Sequence, residues 1–200
     1  MTKQHKILLI IASLLLLGAF AFPLWKIHLQ APQYPEGLGM NIWVNTVKGA
    51  QPHNIATIND LNHYIGMKKI TPDAIPELKV MPYIILFFLV TGIGIALIGK
   101  RSLVLGWVIG IFMLAAGGLA DFYKWGYDYG HNLNPTAAIK VPGMSYQPPL
   151  IGTEQLLNIR ATSYPAIGAI VIGLAAFIGI YIWYSEKYGK PSRNKLKLSN

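Results

Sequence analysis

Four long segments without a charged side chain constrain this chain more than any other feature. They run over about residues 7–25, 80–98, 103–120 and 165–184. A helix rises about 1.5 Å per residue, so about 20 apolar residues are needed to cross roughly 30 Å of hydrocarbon. A core helix of a soluble protein is usually shorter and has one polar face. The sequence therefore predicts an all-α membrane protein, one domain over residues 1–200 with four transmembrane helices.

The basic residues are distributed unevenly around these four segments. The formal net charge is +9, and nine of the 17 Lys and Arg residues lie before the first segment, between the second and third, or after the fourth. Basic residues on short flanks mark the cytoplasmic side of a membrane. The pattern predicts cytoplasmic termini in a bacterial inner membrane, with two loops, residues 26–79 and 121–164, forming a small cap outside. Contact with anionic lipid headgroups accounts for the charge, so no nucleic-acid partner is expected.

The first apolar segment has two interpretations. Lys3 and Lys6 precede an apolar run, and Ala19-Phe20-Ala21 resembles the small-x-small site at which a signal peptide is cleaved. However, Pro23 follows closely and the apolar run continues to Trp25. We expect the segment to be retained as a transmembrane helix, and cleavage would leave the rest of the topology unchanged.

The two loops contain only short elements by their sequence patterns. Residues 40–45 alternate as a strand does, and Asn59 is placed to cap a short helix that ends before Pro72. In the second loop, Thr153 is placed to cap another short helix, and Pro165 is placed to begin the fourth span.

The helix expected after Asn59 suggests a metal site. If residues 60–67 are helical, Asp60, His63 and Met67 share one side, away from the apolar side formed by Leu61 and Ile65. Histidine and methionine four residues apart can grip one ion, and imidazole with thioether favours copper, Cu(I) in particular. The plainer interpretation is that Asp60 only stabilises the positive end of the helix dipole and that the other two side chains pack.

The second loop contains further candidate ligands. Asp121, Asp128 and His131 share a broad side if the third span continues as a helix beyond the membrane. Alternatively, Asp121 marks the membrane exit and Asp128 pairs with Lys124. The second loop would complete a site with His63 and Met67 only if the two loops fold together. Because the chain has no cysteine, any metal must be held by other donors.

Enzymatic and transport functions are disfavoured. No Asp, Glu, His, Lys or Arg lies within the four spans, whereas ion pumps and proton-coupled transporters usually keep such groups at depth. No nucleophile elbow, zinc-protease helix, phosphate-binding loop or haem-attachment motif occurs. The chain is therefore not expected to be an enzyme.

Several stretches of the two loops resemble a family of small four-span proteins associated with nitrous oxide reductase and copper-delivery gene clusters of bacteroidete-type bacteria. The stretches are residues 31–40 (APQYPEGLGM), 61–67 (LNHYIGM), 129–132 (YGHN) and 141–144 (VPGM). The resemblance implies a role in copper handling, or in the maturation of an envelope copper enzyme, but no particular reaction. The metal-binding positions that it implies are Met40, His63, Met67, His131 and Met144.

Two further functions remain open at this stage. The chain could be a metal-free membrane anchor or subunit whose outer loops dock a periplasmic or membrane redox partner. Aromatic residues at the end of the third span also allow a subunit that interacts with a quinol. The leading expectation is an accessory protein that binds or passes copper to an extracytoplasmic copper enzyme or membrane complex.

Overall fold

The computed structural model describes residues 1–141, 143–156 and 158–189. Its helices are α1 (Lys3–Leu15), α2 (Gly18–Ala21), α3 (Asn54–Ile65), α4 (Glu77–Ile98), α5 (Arg101–His131) and α6 (Ile167–Tyr188). Its strands are β1 (Trp25–Ala31), β2 (Tyr34–Ile42), β3 (Val47–Gly49), β4 (Gly152–Leu156) and β5 (Ile159–Pro165), and a single 3-10 turn covers Pro72–Ala74. The predicted all-α class is therefore wrong, because the protein combines helices with a sheet.

Four helical segments are long and apolar enough to cross a membrane: residues 3–21 (α1 with α2), α4, α5 and α6. They correspond to the four predicted spans. The first ends earlier than predicted, since β1 begins at Trp25. The third continues to His131, well past the predicted limit of residue 120. Pro165 ends a strand instead of beginning the fourth span.

The two predicted loops fold together into one five-stranded antiparallel sheet. Its strand order is β3-β2-β1-β5-β4, so three strands from residues 25–49 pair with two strands from residues 152–165. The central pairing places His28 opposite Thr162 and Ile27 opposite Ser163. We call this sheet together with α3 the sheet domain. Because β1 follows the first span and β5 precedes the last, the domain lies at one end of the helical bundle.

Alternation along β1 and β2 explains why the sheet has one buried face. Ile27 and Leu29 lie opposite Met40 and Leu38 respectively, and successive side chains of a strand point to opposite faces. These residues pack with Ile58 of α3 in an apolar cluster separate from that of the bundle. Pro32 and Gln33 lie between the last paired residues of the β1–β2 hairpin, Ala31 and Tyr34.

Strand β4 lies at the position where a short helix was expected. Thr153 lies in β4, where its hydroxyl is 3.0 Å from that of Thr162 on β5. The helix that Thr153 was expected to cap is therefore absent from residues 152–156. The threonine instead contributes a cross-strand polar pair.

The first span packs against α4 and α6 in the helical bundle. Leu9, Ala12 and Leu16 of this span are almost completely buried, and Ser13 lies against Gly92 of α4. At the end of the bundle away from the sheet domain, His5 Nδ1 lies 2.6 Å from Glu186 of α6. These contacts are those of a retained helix, and its retention stays a prediction.

Close packing of α1 on α4 depends on Gly92. A methyl group added there would collide with the Ser13 side chain, whereas one added at Gly94 meets no heavy atom within 4 Å. We expect Gly92→Leu to lower the stability of the detergent-solubilised protein by about 1–3 kcal/mol, because overpacking forces the helices apart. Gly94→Leu is the matched control and should change the unfolding temperature little. Equal destabilisation by both variants would contradict this packing.

Candidate functional site

The ends of α3 and α5 meet at the side of the sheet domain, and we call this meeting point the junction (residues 63–69, 128–139 and 143–146). Lys68 Nζ lies 2.6 Å from Asp128 Oδ2, and the Tyr129 hydroxyl donates to the Lys69 carbonyl at 3.1 Å. The chain after α5 is fixed by backbone hydrogen bonds that join Asn134 to Gly66, Ile139 to Tyr64 and Tyr146 to Gly130. The two predicted loops are therefore connected here as well as through the sheet.

The junction exists because α3 ends at Ile65. Gly66 adopts a left-handed conformation with φ of 83°, and the Met67 amide then donates to the Asn62 carbonyl at 2.8 Å, which is a typical glycine C-cap. Asn59 exchanges two hydrogen bonds with the backbone of Ile70, at 2.7 and 3.1 Å. The asparagine therefore holds the returning chain against the helix. It does not cap the helix, which begins at Asn54.

This geometry changes the predicted arrangement of His63 and Met67. The two residues are not one helical turn apart, because Met67 follows the end of the helix. Met67 lies on the same side as Leu61 and Ile65, where all three line a cavity. His63 is exposed with its ring 6.1 Å from that of Tyr64, and Asp60 is exposed one turn earlier.

The other predicted ligands lie in three different settings. Met40 is only 4% exposed and belongs to the apolar cluster beneath the sheet. Asp128 is paired with Lys68 and also accepts a hydrogen bond from Asn132, so the predicted pairing with Lys124 is replaced. Met144 is half-buried in the segment that returns toward Gly130.

His131 is the predicted ligand best prepared to bind a metal. It ends α5, its ring stacks on Tyr127 at 3.9 Å between centroids, and its Nδ1 lies 3.0 Å from the Tyr127 carbonyl oxygen. Since a carbonyl can only accept, Nδ1 is the donor and the lone pair resides on Nε2. A backbone carbonyl that fixes the tautomer in this way is a common feature of metal-binding histidines.

The junction thus gathers Met67, Asp128, His131 and Met144, with His63 at its edge. Met40 and Asp60 lie outside it. Within residues 1–141, 143–156 and 158–189, no three His, Asp or Glu side chains converge as a metal-binding group. A metal site among these residues would therefore need other donors as well, and the methionine sulfurs are candidates.

An apolar cavity of about 250 Å3 lies between the sheet, α3 and the extension of α5. The sheet contributes Ile27, Leu29 and Met40, and α3 contributes Ile58 and Leu61. Trp125 and Tyr129 of α5 close another side, their ring centroids 4.3 Å apart. The cavity was not predicted from the sequence, although the alternation of residues 25–31 was a signal for the strand that forms one side of it.

Together, the four helices that are apolar enough to cross a membrane and the sheet domain at one end of them give a mixed α/β architecture that fits a multi-pass membrane protein. No protein-family model matches the chain, and none of the curated proteins matches it either.

Proposed function

We propose that this protein is an accessory protein of a bacterial inner membrane that binds or passes Cu(I) at its extracytoplasmic face. It would assist the maturation or function of a copper enzyme, such as nitrous oxide reductase. The observation that carries the proposal is the junction, which contains ligand types suited to Cu(I) from both loops. The resemblance of the loop motifs to the copper-associated family supports the same role.

The donor chemistry at the junction suits a soft ion. Met67 and Met144 offer thioethers and His131 offers an imidazole nitrogen, a set that favours copper over calcium or magnesium. Their positions are linked by short stretches of chain. Met67 is adjacent to Lys68, which pairs with Asp128, and His131 follows Asp128 by less than one helical turn. Met144 precedes by two residues the Tyr146 amide that donates to Gly130.

A copper competition assay tests this arrangement. Purified protein is titrated under reducing, anaerobic conditions against a Cu(I) chelator. We expect about one retained ion, and an affinity loss of at least about 10-fold in both Met67→Leu and His131→Gln, since each variant removes a donor while nearly preserving volume. Met113→Leu, in an exposed position of α5 within the predicted span, is the matched control and should bind as the wild type does.

His63→Gln distinguishes the junction from the helical site predicted from sequence. A site centred on His131 tolerates this substitution with little loss, whereas a site centred on His63 loses its copper. If neither wild type nor control retains copper against micromolar chelator, the copper role is refuted.

A metal-free role is the second candidate, and one observation favours it. Asp128 is already satisfied by Lys68 and Asn132, and the junction is held by hydrogen bonds among protein groups alone. In this case the sheet domain would dock an extracytoplasmic or membrane redox partner. The metal-free role predicts that neither the wild type nor the variants Met67→Leu and His131→Gln retain copper. It also predicts that both variants have a lower unfolding temperature than the wild type.

A further inference from the structure

We propose that the apolar cavity binds a neutral, lipid-soluble carbonyl compound of the quinone class, taken from the membrane. This inference is independent of the copper proposal. It rests on the lining of the cavity, on unpaired hydrogen-bond donors of two lining residues, and on its position above the bilayer.

The lining excludes a charged occupant. The side chains around the cavity are mainly aliphatic and aromatic, and none of them carries a formal charge. Placing a carboxylate or phosphate there without a cation would cost several kcal/mol per charge. The occupant is therefore neutral, which disfavours fatty acids and phospholipid headgroups.

Two residues that line the cavity have a buried polar atom without a hydrogen-bond partner. Tyr146 is 5% exposed, and its hydroxyl is buried without a hydrogen bond to any of the described residues. The same is true of Trp125 Nε1, which lies close to Tyr129 but makes no hydrogen bond of normal geometry. Buried donors are seldom left unpaired in native proteins, so each such group requires an explanation. The explanation that we propose is a ligand carbonyl that accepts a hydrogen bond from these donors.

Aromatic rings favour a planar occupant. Trp125, Tyr129, Tyr146 and Tyr64 all line the cavity. Such rings stack with an offset or meet edge to face, an arrangement that a flat ring can join and a flexible acyl chain cannot. A volume of about 250 Å3 exceeds that of cavities that hold benzene, so it accommodates one substituted ring.

The cavity lies close to the lipid. The uncharged segment of α5 ends at residue 120, and Trp125 follows about 8 Å further along the helix. A second, small cavity lies one turn nearer to that boundary and is lined by Phe122 and Tyr123. It shares Ile27, Trp125 and Pro148 with the large cavity, so the two cavities are neighbours. We infer that a molecule dissolved in the membrane enters from this side, which requires movement of the shared side chains.

Equilibrium binding to the full-length protein in lipid nanodiscs tests the inference, with a Cu(I) chelator present so that copper cannot influence the result. The probe is decylubiquinone, and decylbenzene and decanoate serve as the carbonyl-free and charged comparisons. We expect saturable binding of about one decylubiquinone per chain and none of either comparison molecule. Binding of decylbenzene or decanoate with similar affinity would overturn the proposal, as would the absence of saturable quinone binding.

Three variants locate the site. Tyr146→Phe and Trp125→Phe should each weaken quinone binding about 2- to 10-fold, the effect of losing one net hydrogen bond. Trp43→Phe is the matched control, because Trp43 is also a tryptophan with a buried, unpaired Nε1 but does not line either cavity. Equal weakening by Trp43→Phe and Trp125→Phe, or unchanged binding in Tyr146→Phe, would show that the quinone binds elsewhere and would overturn the proposal.

Discussion

Cysteines introduced by His28→Cys and Thr162→Cys should form a disulfide in nearly every molecule. The two residues lie directly opposite each other in the pairing of β1 with β5. Opposed residues of an antiparallel pair have Cβ atoms about 4.5–5.5 Å apart, a distance that needs only slight adjustment for a disulfide. Because the natural chain has no cysteine, thiol titration after mild oxidation and denaturation should give almost no free thiol.

The matched control for this experiment is His28→Cys combined with Ala161→Cys. Ala161 is adjacent to Thr162 on the same strand, so its side chain points to the other face of the sheet. This pair should keep both thiols. Free thiols in the first pair would mean that the two loops do not share a sheet, and oxidation of both pairs to the same extent would mean that the register is not fixed.

We expect Ser102→Cys and Ala138→Cys to react with a labelling reagent from opposite sides of the membrane, and this is the second large effect. Ser102 lies in the first turn of α5, beside the basic connection of Lys100 and Arg101, and Ala138 is exposed at the junction. If basic flanks lie in the cytoplasm, a membrane-impermeant maleimide added to intact cells should label only Ala138→Cys. Ser102→Cys should react only after permeabilisation.

Two outcomes would contradict this topology. Labelling of both cysteines in intact cells would mean that α5 does not cross the membrane, and labelling of Ser102→Cys alone would mean the reverse orientation. The predicted cytoplasmic position of the chain after residue 189 lies outside the described residues. A reporter fused after Asn200 should agree with Ser102→Cys.

The sheet was the principal failure of sequence-based prediction, and its strands show why. The residues of β1 begin inside an apolar run, so Trp25 was assigned to the first span. β5 contains Ala161 and Ser163 at its buried positions, and these small residues give a weak alternation signal. Strand pairing between residues 25–31 and 159–165 is a long-range property that no local window contains.

The predicted geometry of the candidate site was wrong for a more specific reason. The i, i+4 relation of His63 and Met67 required a helix that continues past residue 65, but Gly66 ends the helix in a left-handed cap. The glycine was visible in the sequence, yet a glycine within a helical pattern does not by itself show that the chain turns back. The hydrogen bonds of Asn59 with Ile70 complete that turn, and they require the folded chain.

The sequence by itself determined the four apolar helices. An uncharged segment of 18 to 20 residues is sufficient locally, because backbone groups in hydrocarbon must be satisfied within the segment. Only the tertiary structure decided what the remaining residues form, because a strand acquires its hydrogen bonds from a partner distant in sequence. The meeting of Met67 with the end of α5 and the cavity beneath the sheet are likewise long-range, since both are made by residues of the two loops, which the β1–β5 pairing and the junction hydrogen bonds bring together.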